Sequence, residues 1–86
     1  MRPACRLHDK DSMGDSITTG SPNVFINNLP ETRLGDLDDC PLHIDHMIEG
    51  SPNVFTNNRN AVRVGDTDSP CGDKMVQGSP NTFINN

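Results

Sequence analysis

A cysteine and a histidine stand two residues apart in Cys40-Pro41-Leu42-His43, and two other polar stretches carry His8 and Cys71. A Cys and a His at that spacing can chelate one ion, with the proline stiffening the turn between them. Counting seven positions back from Gly20, Gly50 and Gly78 lands on Met13, His43 and Cys71, so these three hold equivalent places. A thioether is a weak ligand for zinc, which makes His8, in the first loop, the compensating donor. The set His8, Cys40, His43 and Cys71 is then two imidazoles and two thiolates, a closed structural site with no position open to substrate. For each the alternative is a side chain satisfied by hydrogen bonds alone. His46 competes with His43, but it aligns with Ser16 and Lys74 and is expected to face solvent. Cys5 reads as a small packing residue.

The elements that must position these residues come in threes. A nine-residue phrase runs from Gly20 to Asn28, from Gly50 to Asn58 and from Gly78 to Asn86, and such a period signals a repeat architecture. Each copy opens on the turn signal Gly-Ser-Pro-Asn, passes through strand-favouring residues and closes on Asn-Asn. Before each phrase stands a lead-in, Arg6-Leu7-His8-Asp9, Arg33-Leu34-Gly35-Asp36 or Arg63-Val64-Gly65-Asp66. The expectation is one all-β domain over 1–86, with repeats of about 1–28, 29–58 and 59–86. The second strand of each repeat is expected at Ser16-Ile17-Thr18, Met47-Ile48 and Met75-Val76, and no helical periodicity longer than a turn is present. Phe25, Phe55 and Phe83 are all the aromatic residues of the chain. Three equivalent rings are expected to meet on a threefold axis and form the core, leaving the neighbouring Val, Ile and Thr positions to face a partner. The run Asp36-Leu37-Asp38-Asp39 reads as a solvated loop.

The totals explain why a metal is expected. Apolar residues are 31% of the chain, against about 45–50% in ordinary globular proteins on a count that includes Gly. An 86-residue chain this polar has little stability left after chain entropy. It is either disordered alone or held by an ion, an oligomer or a partner surface. A structural zinc can contribute about 10–16 kcal/mol. The net charge of −5 argues against nucleic-acid binding. No apolar run approaches a membrane span or a signal peptide, so the chain reads as made in a cytoplasm. Three cysteines exclude a full disulfide framework and favour metal ligation in a reducing compartment. A small zinc-dependent enzyme is the rival reading. It needs an open coordination place and a base such as Asp38, Asp39 or Asp45, and a chain this small leaves scant room for a pocket.

Pro3-Ala4-Cys5-Arg6, the apolar-Gly-Asp triplets at 34–36 and 64–66, the Cys-Pro-x-His loop and the repeated Gly-Ser-Pro-Asn-Val-Phe phrase together resemble the PAAR-repeat family over nearly the whole chain. The resemblance implies a small cone with pseudo-threefold symmetry and an apex tied by a zinc-type ion, with iron as the other candidate. It implies a non-enzymatic spike tip whose base caps a trimeric β-helix spike, one copy per trimer, in a contractile injection machine. Contact with the target cell envelope is then transient, with no nucleic acid bound and no stable membrane insertion. The family's usual site is three His and one Cys. His43 and Cys71 fall on matching positions, whereas a first-loop His falls on Met13 and another has no counterpart in Leu37 to Asp39. His8 and Cys40 enter to compensate. With no extension at either end, the chain suits the baseplate of a bacteriophage tail, and hence a virion. A type VI secretion tip, cytoplasmic before export, is the alternative.

Overall fold

The computed structural model describes residues 1–41 and 43–84, with His43 described by its backbone alone. Nine short strands and no helix are found among the described residues. The phrase strands β2 (Phe25–Ile26), β6 (Phe55–Thr56) and β9 (Phe83–Ile84) each pair antiparallel with a two-residue strand. Their partners are β3 (Leu29–Pro30), β7 (Arg59–Asn60) and β1 (Arg2–Pro3). The first two pairs are hairpins, turning at Asn27-Asn28 and Asn57-Asn58 with φ of 54° to 66°. Two consecutive left-handed residues make the turn whose twist matches that of paired strands, and Asn tolerates that region. The third pair joins the two ends of the chain in the same register, Pro3 opposite Phe83 as Pro30 is opposite Phe25.

Backbone hydrogen bonds close a ring around a shared axis. Cys5 N–H donates to Val62 C=O at 3.0 Å, Val62 to Thr32 at 3.1 Å and Thr32 back to Cys5 at 3.0 Å. Leu7, Leu34 and Val64 donate to Pro30, Asn60 and Pro3, closing a second ring in the opposite sense. Three repeats are therefore turned about one axis, each bonded to both others.

The arginine of each lead-in explains its spacing. Arg6, Arg33 and Arg63 are buried, and each forks onto the carboxylate three residues on, Asp9, Asp36 or Asp66, at 2.8–3.1 Å. The same carboxylate accepts the arginine's own backbone N–H at 2.6–2.8 Å. Arg6 and Arg33 reach on to Asn27 and Asn57 and to the carbonyls of Gly78 and Gly20. These two guanidiniums thus each tie their turn to two phrases. The glycine that opens each phrase lies so close to a neighbour that a Cβ at Gly50 would stand 2.9 Å from Asn60 Cβ.

The three-stranded sheet β4 (Leu37–Cys40), β5 (His43–Met47) and β8 (Asp68–Ser69) carries the chemistry. Its register sets Cys40 opposite His43 and Asp38 opposite Asp45. Below these, Met47 joins Ile17, Met75, Cys5 and Val62 in one apolar cluster. A second cluster holds Ala4, Ala61, Ile26 and Ile84. The molecule is thus layered from thiols through carboxylates to two apolar layers and the phrase strands.

Two expectations are corrected. The phenylalanines do not form the core: Phe25, Phe55 and Phe83 are 56%, 56% and 45% exposed, while Ile26, Thr56 and Ile84 point inward. Adjacent strand residues face opposite ways, and the inner site, walled by Ala4 and Ala61, is filled by aliphatic side chains. The run from Asp36 to Asp39 is not a solvated loop. Asp36 is held by Arg33, Asp38 is fully buried in β4, and only Asp39 faces solvent.

One face of the repeat swaps its apolar pair for a polar one. Where two repeats place Ala4 and Ala61, the other has buried Glu31, which accepts the Thr56 hydroxyl at 2.6 Å. Burial pushes the Glu31 carboxyl up, opposed by that hydroxyl and by Arg33. Thr56→Ile alone should lower stability by about 1–3 kcal/mol, because a buried acceptor loses its donor. The double variant Glu31→Ala/Thr56→Ile, matching the other two faces, should recover most of it. Urea denaturation of the set checks this, and additive losses would disprove the coupling.

Candidate metal centre

Cys40 closes β4, and Cys71 lies in the loop after β8. Pairing of β4 with β5 and of β5 with β8 brings these distant segments to one pole. The two sulfurs are 2.9 Å apart. Asp45, fully buried on β5, accepts the Cys71 backbone N–H at 3.1 Å. A sulfur from each cysteine and an oxygen of Asp45 lie within 4.8 Å of one another. Met13, Asp15, Pro41 and Asp73 join the cysteines in lining a recess of about 400 Å³.

The electrostatics ask for a cation. The Cys71 thiol is pushed up first by its hydrogen bond with Cys40, then by burial and by Asp45. A thiolate at Cys71 would stand against the Cys40 sulfur and the Asp45 carboxylate, which disfavours its charge. A divalent ion removes that obstacle, since thiolates bind zinc at about 2.3 Å and a carboxylate oxygen at about 2.0–2.2 Å. The donors share one pole, and to hold one tetrahedral ion at that bond length the two sulfurs part from 2.9 Å to about 3.8 Å. Binding would cross-link the β4–β5 hairpin to the loop of the third repeat.

The expected ligands divide as follows. Cys40 and Cys71 are brought together. His43 stands opposite Cys40 in the ladder, and its side chain lies outside the described residues. His8 is exposed in the first turn, with φ of 76°, and falls in neither cluster of ligand-type side chains found among the described residues. It occupies the left-handed position that Gly35 and Gly65 hold in the other repeats. Met13 lines the recess with the cysteines, as its equivalence to Cys71 requires. His46 faces solvent. Cys5 is buried, its thiol pushed up by burial and directed at the Gln77 carbonyl at 3.5 Å.

Sequence reasoning missed the aspartates. Asp45 was weighed only as a base for an enzyme, and Asp11, Asp68 and Asp73 form a second group whose oxygens lie within 4.8 Å of one another. A signal existed: an aspartate stands five residues after each lead-in arginine (Asp11, Asp38, Asp68) and five before each phrase glycine (Asp15, Asp45, Asp73).

A model of the PAAR motif matches residues 7–77. No curated protein matches the chain at a significant level. With the match covering most of the 86 residues and the first two phrases, Cys40 and Cys71 inside it, the chain belongs to the PAAR-motif family, a structural family of spike tips in contractile injection machines.

Proposed function

We propose that this chain, as a single domain of three repeats, caps the trimeric β-helix spike of a contractile injection machine, with zinc tying its apex. The observation that carries the reading is the exposure of Phe25, Phe55 and Phe83 at equivalent places around a threefold backbone ring. One chain can then present three matching apolar contacts to a trimer that ends in open strand edges. At the opposite end of the layer order lies the thiol pole. An ion there ties the loops of the second and third repeats into a vertex, and a stiff vertex concentrates force on a small area of the target envelope when the machine contracts. The same geometry serves a bacteriophage baseplate and a type VI secretion spike.

Zinc is assigned to Cys40, His43 and Cys71, with Asp45 as the neighbouring oxygen donor in place of His8; iron is the second candidate. The reading takes the set as structural: of the three candidate bases Asp38 and Asp45 are fully buried, and Asp39 faces solvent.

Co-purification with spike trimers from phage and secretion systems should give one copy per trimer. Native mass spectrometry reads the ratio, and three copies would undo the pseudo-trimer argument. The variant Cys40→Ser/Cys71→Ser should lose its zinc by elemental analysis and melt at least 10 °C lower, scaled from the several kcal/mol a structural ion contributes. A full equivalent of zinc retained in it would remove the ligand assignment. In wild-type protein stripped of metal, diamide should oxidise Cys40 and Cys71 to one disulfide, two thiols giving up two protons and two electrons to the diazene. Cys5 should stay reduced, and added zinc should block the reaction. Thiol counting by mass spectrometry decides, with equal oxidation of the zinc-loaded form as the contrary result.

A further inference from the structure

Beneath the thiol pole lie six aspartates, half of the twelve acidic residues of the chain. They form two sets of three equivalents, Asp11/Asp38/Asp68 and Asp15/Asp45/Asp73. The first set is almost wholly buried, at 2%, 0% and 1% exposure. The lead-in carboxylates Asp9, Asp36 and Asp66 each have an arginine. Asp11, Asp15, Asp38, Asp68 and Asp73 have no lysine or arginine partner among the described residues. The lysines adjoining them in sequence turn away: Lys10 donates to the Ser16 hydroxyl and Lys74 to that of Thr67.

The oxygens are divided by task. Asp11 Oδ1 accepts the N–H groups of Met13 and Asp15, and Asp68 Oδ1 accepts that of Asp73. Asp11 Oδ2, Asp68 Oδ2 and Asp73 Oδ2 are buried and accept nothing, and neither oxygen of Asp38 has a partner. Asp38 is fully buried and its carboxyl faces those of Asp11 and Asp68. A buried carboxylate oxygen without a donor is unfavourable, and carboxylates that face one another repel. Buried carboxylate oxygens without donors, gathered from three repeats, call for a positive charge among them.

We infer that Asp11, Asp38, Asp68 and Asp73 form a second metal site, for one hard, oxygen-seeking divalent cation, with calcium the best fit. Oxygens of Asp11, Asp68 and Asp73 lie within 4.8 Å of one another, the span that ligands at 2.3–2.6 Å from one calcium ion allow. A set supplied almost wholly by carboxylates disfavours magnesium, which holds its waters and demands an octahedron. The site differs from the thiol pole in chemistry and adjoins it, Asp73 lining the recess above. Asp38 precedes Cys40 by two residues on β4, which sets the two levels about 7 Å apart. The inference rests on the carboxylates alone and stands whether or not the thiols hold zinc.

The test uses the full chain, stripped with EDTA and titrated with Ca²⁺ alone in a calorimeter and by thermal melting. Wild type should take up one Ca²⁺ per chain, and Tm should rise by at least 5 °C between EGTA and 5 mM Ca²⁺. Asp38→Asn keeps the shape and removes the charge, so it should fold, bind Ca²⁺ at least tenfold more weakly and lose most of the Tm shift. Cys40→Ser/Cys71→Ser should keep the Ca²⁺ response. The proposal is overturned if stripped wild type takes up no stoichiometric Ca²⁺ and melts alike in EGTA and Ca²⁺, leaving shared protons to hold the cluster. It is overturned equally if Asp38→Asn binds as wild type does, or if Ca²⁺ uptake follows the two thiols rather than Asp38.

Discussion

Three guanidiniums buried against three carboxylates decide where every repeat turns. In each lead-in the aspartate closes on both the side chain and the backbone N–H of the arginine three residues before it. That contact makes a tight turn of a stretch with no apolar residues to spare. Removing one partner of such a pair typically destabilises by about 3–5 kcal/mol, because the other charge stays buried alone. In a chain this short, one such loss is a large part of the whole. The hydrogen bond with Asp9 holds Arg6 even more firmly protonated than a free guanidinium.

The second constraint is closure. Strand pairs of two residues cannot stand alone in water. Here each is bonded into a backbone ring with the other two repeats, and the first and last strands pair to complete it. A loss in one repeat is therefore felt in all three. The apolar layers are thin, one of five residues and one of four. Polar pairing supplies much of what a larger core supplies elsewhere, down to the Glu31–Thr56 pair that replaces an Ala–Ile contact.

Charge is sorted along the axis. Carboxylates with an arginine hold the turns, those without one collect beneath the pole, and two thiols end the stack. The excess of acid in the composition is thus not spread over a solvated surface but concentrated where cations can reach it. The Phe rings go to the other end because the narrow interior there is filled by Ile26, Ile84 and the Thr56–Glu31 pair.

Local chemistry made much of this legible in the sequence alone. The Asn-Asn turns, the all-β character, the threefold register and the meeting of Cys40 with Cys71 follow from residue types and counting, because turn preferences and repeat spacing are properties of nearby residues. The direction of the Phe side chains, the burial of Asp38 and the carboxylate cluster did not follow. A two-residue strand carries too little alternation to say which face is inside, and an aspartate's surroundings depend on segments far along the chain. Asp11, Asp38 and Asp68 look like surface residues until strand pairing and the axis bring them face to face. That juxtaposition belongs to the tertiary structure, since only closure of the ring removes the water between them.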